Sequence, residues 1–286
     1  MYNSVFEVAL AFALVVSGVA TALPAALRTD PFYTQFLDAD GIPILSSART
    51  PPEALARARA IVQGMLEKRP DIRRALIRLG ERVVVMAPEE GTLDIPEQRH
   101  WKKPTRDDPR LTVCERKHYD VRIGRLSDRD YWNARARGMG GVLTSAAAEN
   151  LLALPGDRYH GQNVFVHEFA HMILRAARIA DPALHARVRA AYDAAMAKGL
   201  WAGEYASTTY EEYWAVGTQY WFETGRIAVF DQVRVLSPDD LRAYDPALHA
   251  VLAEVYRGHR LDGDAFWRHP ARVPAGPLPK FTAEVC

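Results

Sequence analysis

The run at residues 163–174, Asn-Val-Phe-Val-His-Glu-Phe-Ala-His-Met-Ile-Leu, constrains this chain more than any other stretch. Apart from the opening Asn163, only His167, Glu168 and His171 interrupt an otherwise apolar segment, which reads as a buried helix. Polar groups in such a helix are costly unless something binds them. Four residues of helix advance about 400° and ~6 Å, so His167 and His171 leave one face a turn apart. That spacing lets both imidazoles reach one tetrahedral Zn²⁺, and one Zn²⁺ per chain is the expected cofactor. Glu168 follows the first histidine directly, where its carboxylate can reach a water at the metal without being a ligand. The plainer reading, two merely tolerated helix histidines, sits badly with flanks this apolar.

Two histidines and a water leave a zinc site one protein ligand short. The best source of a third is the aromatic segment at residues 205–222, which holds Tyr205, Glu211, Glu212, Tyr213, Trp214, Gln219, Tyr220, Trp221 and Phe222. Thr208 followed by Glu211 reads as a capping box, Thr208 as N-cap and Glu211 folded back from the third position. That register occupies Glu211 and turns Glu212 along an inner face with Ala215, Val216 and Gln219. An ordinary solvated glutamate is the alternative, but the aromatic company makes this helix too apolar for a free surface. Glu212 is the expected third ligand.

With these two segments in view, the chain resembles gluzincin-type metallopeptidases, in particular the Mlc titration factor A family and the catalytic domain of anthrax toxin lethal factor. The resemblance covers roughly residues 160–225. It rests on His167, Glu168 and His171, and on Tyr205 followed seven residues later by Glu212 with Trp214 and Ala215. It implies a zincin-like fold, His167, His171 and Glu212 as metal ligands, Glu168 as general base, and Tyr205 as a hydrogen-bond donor in the transition state. Leu174 and Gln219 depart from the titration-factor pattern, which has acidic residues at both places.

The 286 residues are 49% hydrophobic and 25% charged, enough to bury a sizeable core. A formal net charge of +1 gives no reason to expect a nucleic-acid partner. Capping boxes, Asp-Pro starts and glycine stops place further helices from Thr50, from Asp71 to Gly80, from Asp181-Pro182, from Ser237-Pro238 and from Asp245-Pro246. Residues 82–88 and 41–45 read as strands, and Arg137-Gly-Met-Gly-Gly141 as a tight loop beside the cleft. The expected class is α+β, a small sheet with a metal-site helix followed by a mostly helical C-terminal half. A single catalytic domain is expected over residues 28–286, with helices and the small sheet in 28–140 and the metal-site helices in 141–286.

Residues 8–27 carry no charge, and Ala20-Thr21-Ala22 offers a small-x-small cleavage site. Residues 1–22 therefore read as a signal peptide and the protein as secreted or periplasmic, although residues 1–7 lack the usual Lys or Arg. The same stretch is long enough to be an uncleaved membrane anchor, and a buried helix is a third reading. Export fits the two cysteines, since Cys114 and Cys286 could form one disulfide. The expected function is a zinc-dependent metallopeptidase acting on a peptide or protein substrate. A non-catalytic zinc-stabilised binding module and a zinc hydrolase of non-peptide amides are the alternatives.

Overall fold

The computed structural model describes residues 30–109, 111, 113–141, 143–230 and 233–276. The expected signal segment, the alternative anchor at 8–27 and Cys286 of the expected disulfide lie outside the described residues. Cys114 is buried. Among the described residues no helix is long and apolar enough to cross a membrane.

The architecture is α+β. A hairpin opens it, strands β1 (Gln35–Ala39) and β2 (Ile42–Ser46) paired antiparallel around Asp40-Gly41. Both turn residues hold positive φ, 55° and 93°, as a two-residue hairpin turn requires, and the Gly41 amide donates to Asp38 Oδ1 at 3.0 Å. Helices α1 (Pro52–Met65) and α2 (Pro70–Arg78) then cross over to β3 (Val83–Met86), parallel to β2. All four residues of β3, Val-Val-Val-Met, are buried, as a central strand covered on both faces demands. Val83 and Val85 join the main core, while Val84 and Met86 join a smaller cluster with Tyr33, Leu45 and Ile95.

After α3 (Val113–Lys117) and α4 (Asp128–Arg135), the two-residue strand β4 (Gly138–Met139) forms the sheet edge, antiparallel to β5 (Thr144–Ala147). The five-stranded order is β1-β2-β3-β5-β4, with β3 and β5 parallel. The sheet thus draws strands from both sides of residue 140. The rest is α5 (Ala148–Leu151), α6 (Val164–Ala180), α7 (Pro182–Ala197), α8 (Tyr210–Trp221), a ribbon of β6 (Ala228–Phe230) and β7 (Val233–Val235), α9 (Pro238–Tyr244) and α10 (Pro246–Tyr256).

One core cluster runs from Leu37 in β1 to Leu261 beyond α10, and α6 lies at its centre, packed on α2, α7, α8 and β5. Phe165, Phe169, Ala170, Ile173, Ala176 and Ala177 of α6 are fully buried. Each such phenylalanine stabilises the fold by roughly 1.5–3 kcal/mol. Helix α6 is therefore a rigid beam, and anything it projects into a cleft is held still.

Three helix starts differ from the sequence expectation. Pro51, not Thr50, is the residue before α1, because the Thr50 hydroxyl donates to Val85 O at 3.1 Å and ties helix to sheet. Helix α2 begins at Pro70, ahead of Asp71, whose carboxylate pairs with Arg69. In α8 the N-cap is Thr209, whose Oγ1 accepts from the Glu212 amide at 3.2 Å. Thr208 is taken by the preceding 3₁₀ turn, its hydroxyl donating to Tyr205 O at 2.7 Å.

Candidate metal centre and cleft

Helix α6 starts with its donors satisfied. The Asn163 side chain accepts from the Val166 amide at 3.0 Å, and Asn150 Oδ1 accepts from the Val164 amide at 2.8 Å. The Asn163 amide nitrogen donates in turn to the buried Asp264, whose carboxyl burial pushes up to about 6. One turn into this anchored helix come the histidines.

His167 Nε2 and His171 Nε2 lie 3.2 Å apart, and Glu212 Oε2 from the first turn of α8 lies 2.9 Å from the former and 3.5 Å from the latter. One ligand atom from each residue falls within 4.8 Å of the others. Donors at ~2.05 Å in tetrahedral array around one Zn²⁺ stand about 3.3 Å apart, so the spacing suits that ion. Glu212 thus occupies the place expected of it, although the cap that puts it there is Thr209 rather than Thr208.

Hydrogen bonding around His167 sharpens the fit. Gln219, two turns along α8 from Glu212, donates its amide Nε2 to Asn163 O at 2.8 Å. That fixes the amide so that Oε1 faces His167 Nδ1, 3.2 Å away, and Nδ1 must carry the proton. In neutral His167 the Nε2 lone pair then points at a carboxylate 2.9 Å off and at a second imidazole nitrogen. Three electron-rich atoms converge where only a cation makes the arrangement favourable. The same geometry moves the groups' affinities for protons. Burial opposes the charged form of His167 but Glu212 outweighs it, raising its pKa, while His167 and His171 hold the Glu212 carboxyl well below its ordinary range against the opposing effect of burial. The residues present fit a zinc ion.

Glu168 points to the sheet edge, where its Oε2 accepts from the Gly140 amide at 2.6 Å. Glycines on β4 and just past it allow this close approach to α6. A Cβ at position 138 would stand 2.8 Å from Val164 Cγ1, and one at 140 would stand 3.1 Å from Glu168 O. Arg137 fixes the start of the same strand through Glu149, at 2.6 Å, and the carbonyls of Ala87 and Glu90. Within 137–141 only Gly138 and Met139 form an edge strand beside the cleft, and the rest is the loop expected. Tyr205 donates its hydroxyl to Glu212 Oε1 at 3.0 Å, and its ring stacks at 6.2 Å from His167. Burial of the inner side and the nearby Glu212 raise its pKa, so the phenol stays protonated.

All five expected residues line one cleft of about 1540 Å³ between β4, α4, α6, α8 and the β6–β7 ribbon. Sequence reasoning named Gln219 as a departure but not as the orienting partner of His167. Its spacing of seven from Glu212, two helical turns on the same face, was the available signal. The Gly140 amide and the cleft-lining Glu204 went unnoticed, since a backbone donor and an unpaired glutamate leave no spacing pattern.

No family model matches the chain, and no curated protein does. Among solved structures it is similar to the Pro-Pro endopeptidase PPEP-2 from Paenibacillus alvei, at 15% sequence identity and a TM-score of 0.41, over 70% of this chain and 90% of that one. At that level the two backbones share too little for residue roles to pass from one to the other.

Proposed function

We propose that this chain is a zinc-dependent peptidase, with His167, His171 and Glu212 as ligands, Glu168 as general base and Tyr205 as a transition-state donor. The observation that carries the proposal is the convergence of the three ligand atoms, with the proton of His167 committed to Gln219 on the far side of its ring. His167, His171 and Glu212 would hold the zinc ion, which would supply a water of lowered pKa, ~7, and a Lewis acid for a carbonyl.

The protein's own groups do the rest. Glu168 takes a proton as water attacks the scissile carbonyl and passes it to the leaving amine. Its hydrogen bond from Gly140 keeps the carboxylate aimed. Tyr205 releases Glu212 and donates to the oxyanion of the attacked amide, a bond formed chiefly in the transition state. Strand β4 is an edge, so its open side can pair with an extended peptide laid along the cleft. The cleft exceeds the roughly 300–1000 Å³ usual for small-molecule sites, which favours a peptide over a small amide.

The test pairs elemental analysis with digestion of an unbiased peptide library. Stoichiometric zinc with cleavage supports the reading; stoichiometric zinc with no cleavage leaves a docking or structural metal instead. Export remains part of the proposal, checked by sequencing the N-terminus of the mature protein, and a free-thiol assay checks the Cys114–Cys286 bridge.

A further inference from the structure

The cleft holds a carboxyl that the proposed chemistry does not use. Glu204 precedes the 3₁₀ turn Tyr205–Ser207 with extended backbone, and both Glu204 and Tyr205 line the cleft. Its main chain is engaged: the amide donates to Trp201 O at 2.9 Å, and the carbonyl accepts from the Ser207 amide and hydroxyl at 2.9 and 2.7 Å. Its carboxyl has no hydrogen bond or ion pair among the described residues. Burial acts on it unopposed and pushes its pKa up to about 7. The arginines lining the cleft bond elsewhere, Arg226 to His160 O, Arg158 to Ala134 O at 2.6 Å, and Arg135 to Glu115 at 3.7 Å.

Aromatic rings line the cleft near Glu204, whose amide donates to Trp201 O. Trp201 packs against Tyr220, Phe230 and Tyr244 with centroids 6.1, 5.1 and 5.1 Å away, and all four line the cleft. Glu204 lies close enough to Tyr220 that its charge, added to burial, raises that phenol's pKa. Glu204 is half-buried, so its carboxyl has lost part of its hydration without gaining a protein partner, and a ligand that brings donors would offset that loss. Trp201 is fully buried and backs this wall, while Phe230 and Tyr244, half-buried and stacked at 4.8 Å, are the rings a ligand can reach; aromatic rings beside a carboxylate attract an organic cation.

We propose that Glu204 and this aromatic wall form a subsite that takes a cationic group of the substrate, an ammonium or a guanidinium. The inference rests on the peptidase reading for what occupies the cleft. Two sources carry that chemistry, a lysine or arginine side chain and a free peptide N-terminus, and the experiment separates them.

The probes are acetylated alanine pentapeptide amides with one lysine at each position in turn, the matching norleucine peptides, and the unacetylated all-alanine peptide. Binding is measured by calorimetry to zinc-loaded full-length Glu168→Gln protein, with and without Glu204→Gln. We expect one cationic peptide to bind about tenfold tighter than its neutral counterpart, and the ratio to fall below about twofold once Glu204 is neutral. Selectivity at an internal position marks a side chain; selectivity for the unacetylated peptide marks the N-terminus. Equal binding of charged and neutral peptides, absence of binding, or a ratio unchanged by Glu204→Gln overturns the subsite. Circular dichroism and zinc content of the double variant confirm that it folds, and Glu204→Lys should reverse the preference towards a glutamate-containing peptide. If charge selectivity appears in binding while zinc-loaded wild-type protein cleaves no library peptide, the peptidase reading fails and the subsite stands.

Discussion

At the scale of single residues the proposed roles separate into ligands, base and orienting partner, and each has its own signature. His171→Ala removes one of three donors, and elemental analysis should find stoichiometric zinc lost. Glu168→Gln leaves the three ligands in place and keeps the shape of the side chain, so zinc should stay while hydrolysis falls by roughly 10²–10⁴. Loss of zinc in that variant would assign Glu168 to the metal instead. Gln219→Leu strips the acceptor from a buried His167 Nδ1–H. Groups that orient a ligating imidazole are worth roughly 10–100-fold in metal affinity, and a competition titration with a chromophoric chelator should show that loss. Gln219→Glu supplies an acceptor again and should recover most of it. Wild-type affinity in Gln219→Leu would mean that the ring is held by packing alone.

At the scale of elements, α6 and α8 carry the site, and their starts decide its register. Thr209 caps α8 immediately before the turn that presents Glu212. Thr209→Ala should cost about 0.5–2 kcal/mol of stability in urea unfolding and also weaken zinc, whereas Thr208→Ala should leave zinc unchanged. The reverse result would restore the register read from sequence. Tandem threonines cannot be ranked from sequence, because the 3₁₀ turn that uses Thr208 leaves no separate sequence signal. Helix α6 was legible from its apolar run, α7, α9 and α10 from their Asp-Pro and Ser-Pro starts, and β3 because Val-Val-Val-Met admits little else. Strand β5 was not legible: Thr144-Ser-Ala-Ala has weak strand preference and is made a strand by its neighbours β3 and β4. The proposed ligands and base were legible for the opposite reason, since metal chemistry fixes residue type and spacing together, and Tyr205 was named through the family resemblance. Glu204 and the Gly140 amide have no such spacing, and only the closed fold brings them to the cleft.

At the scale of the whole molecule, one continuous core joins the sheet to α6 and α8, so the fold is expected to persist without the proposed metal. Chelation should leave a cooperatively folded chain and lower its Tm, by an amount that grows with the free zinc it removes. A chain that unfolds outright on chelation would show the core to be insufficient alone. The core also contains carboxyls that oppose it. Glu81 is almost fully buried, and burial, only partly offset by the hydroxyl and amide of Thr144, pushes its pKa from 4.5 up to about 7. A carboxyl whose folded pKa is raised binds more protons folded than unfolded between those two values. Stability therefore falls as pH rises from about 4.5 to about 7 and stays lower above that window. For Glu81 the difference is on the order of 3 kcal/mol. Glu81→Gln keeps an acceptor for the Thr144 hydroxyl, which donates at 2.8 Å, and removes the charge. Urea unfolding of chelated wild-type and Glu81→Gln proteins at pH 5 and pH 8 isolates this contribution, because every other titrating group is common to both. The wild-type protein should lose more stability between the two pH values than the variant does. Parallel losses would mean that Glu81 titrates in the folded chain as it does in water, and that its burial in the core is relieved by a partner.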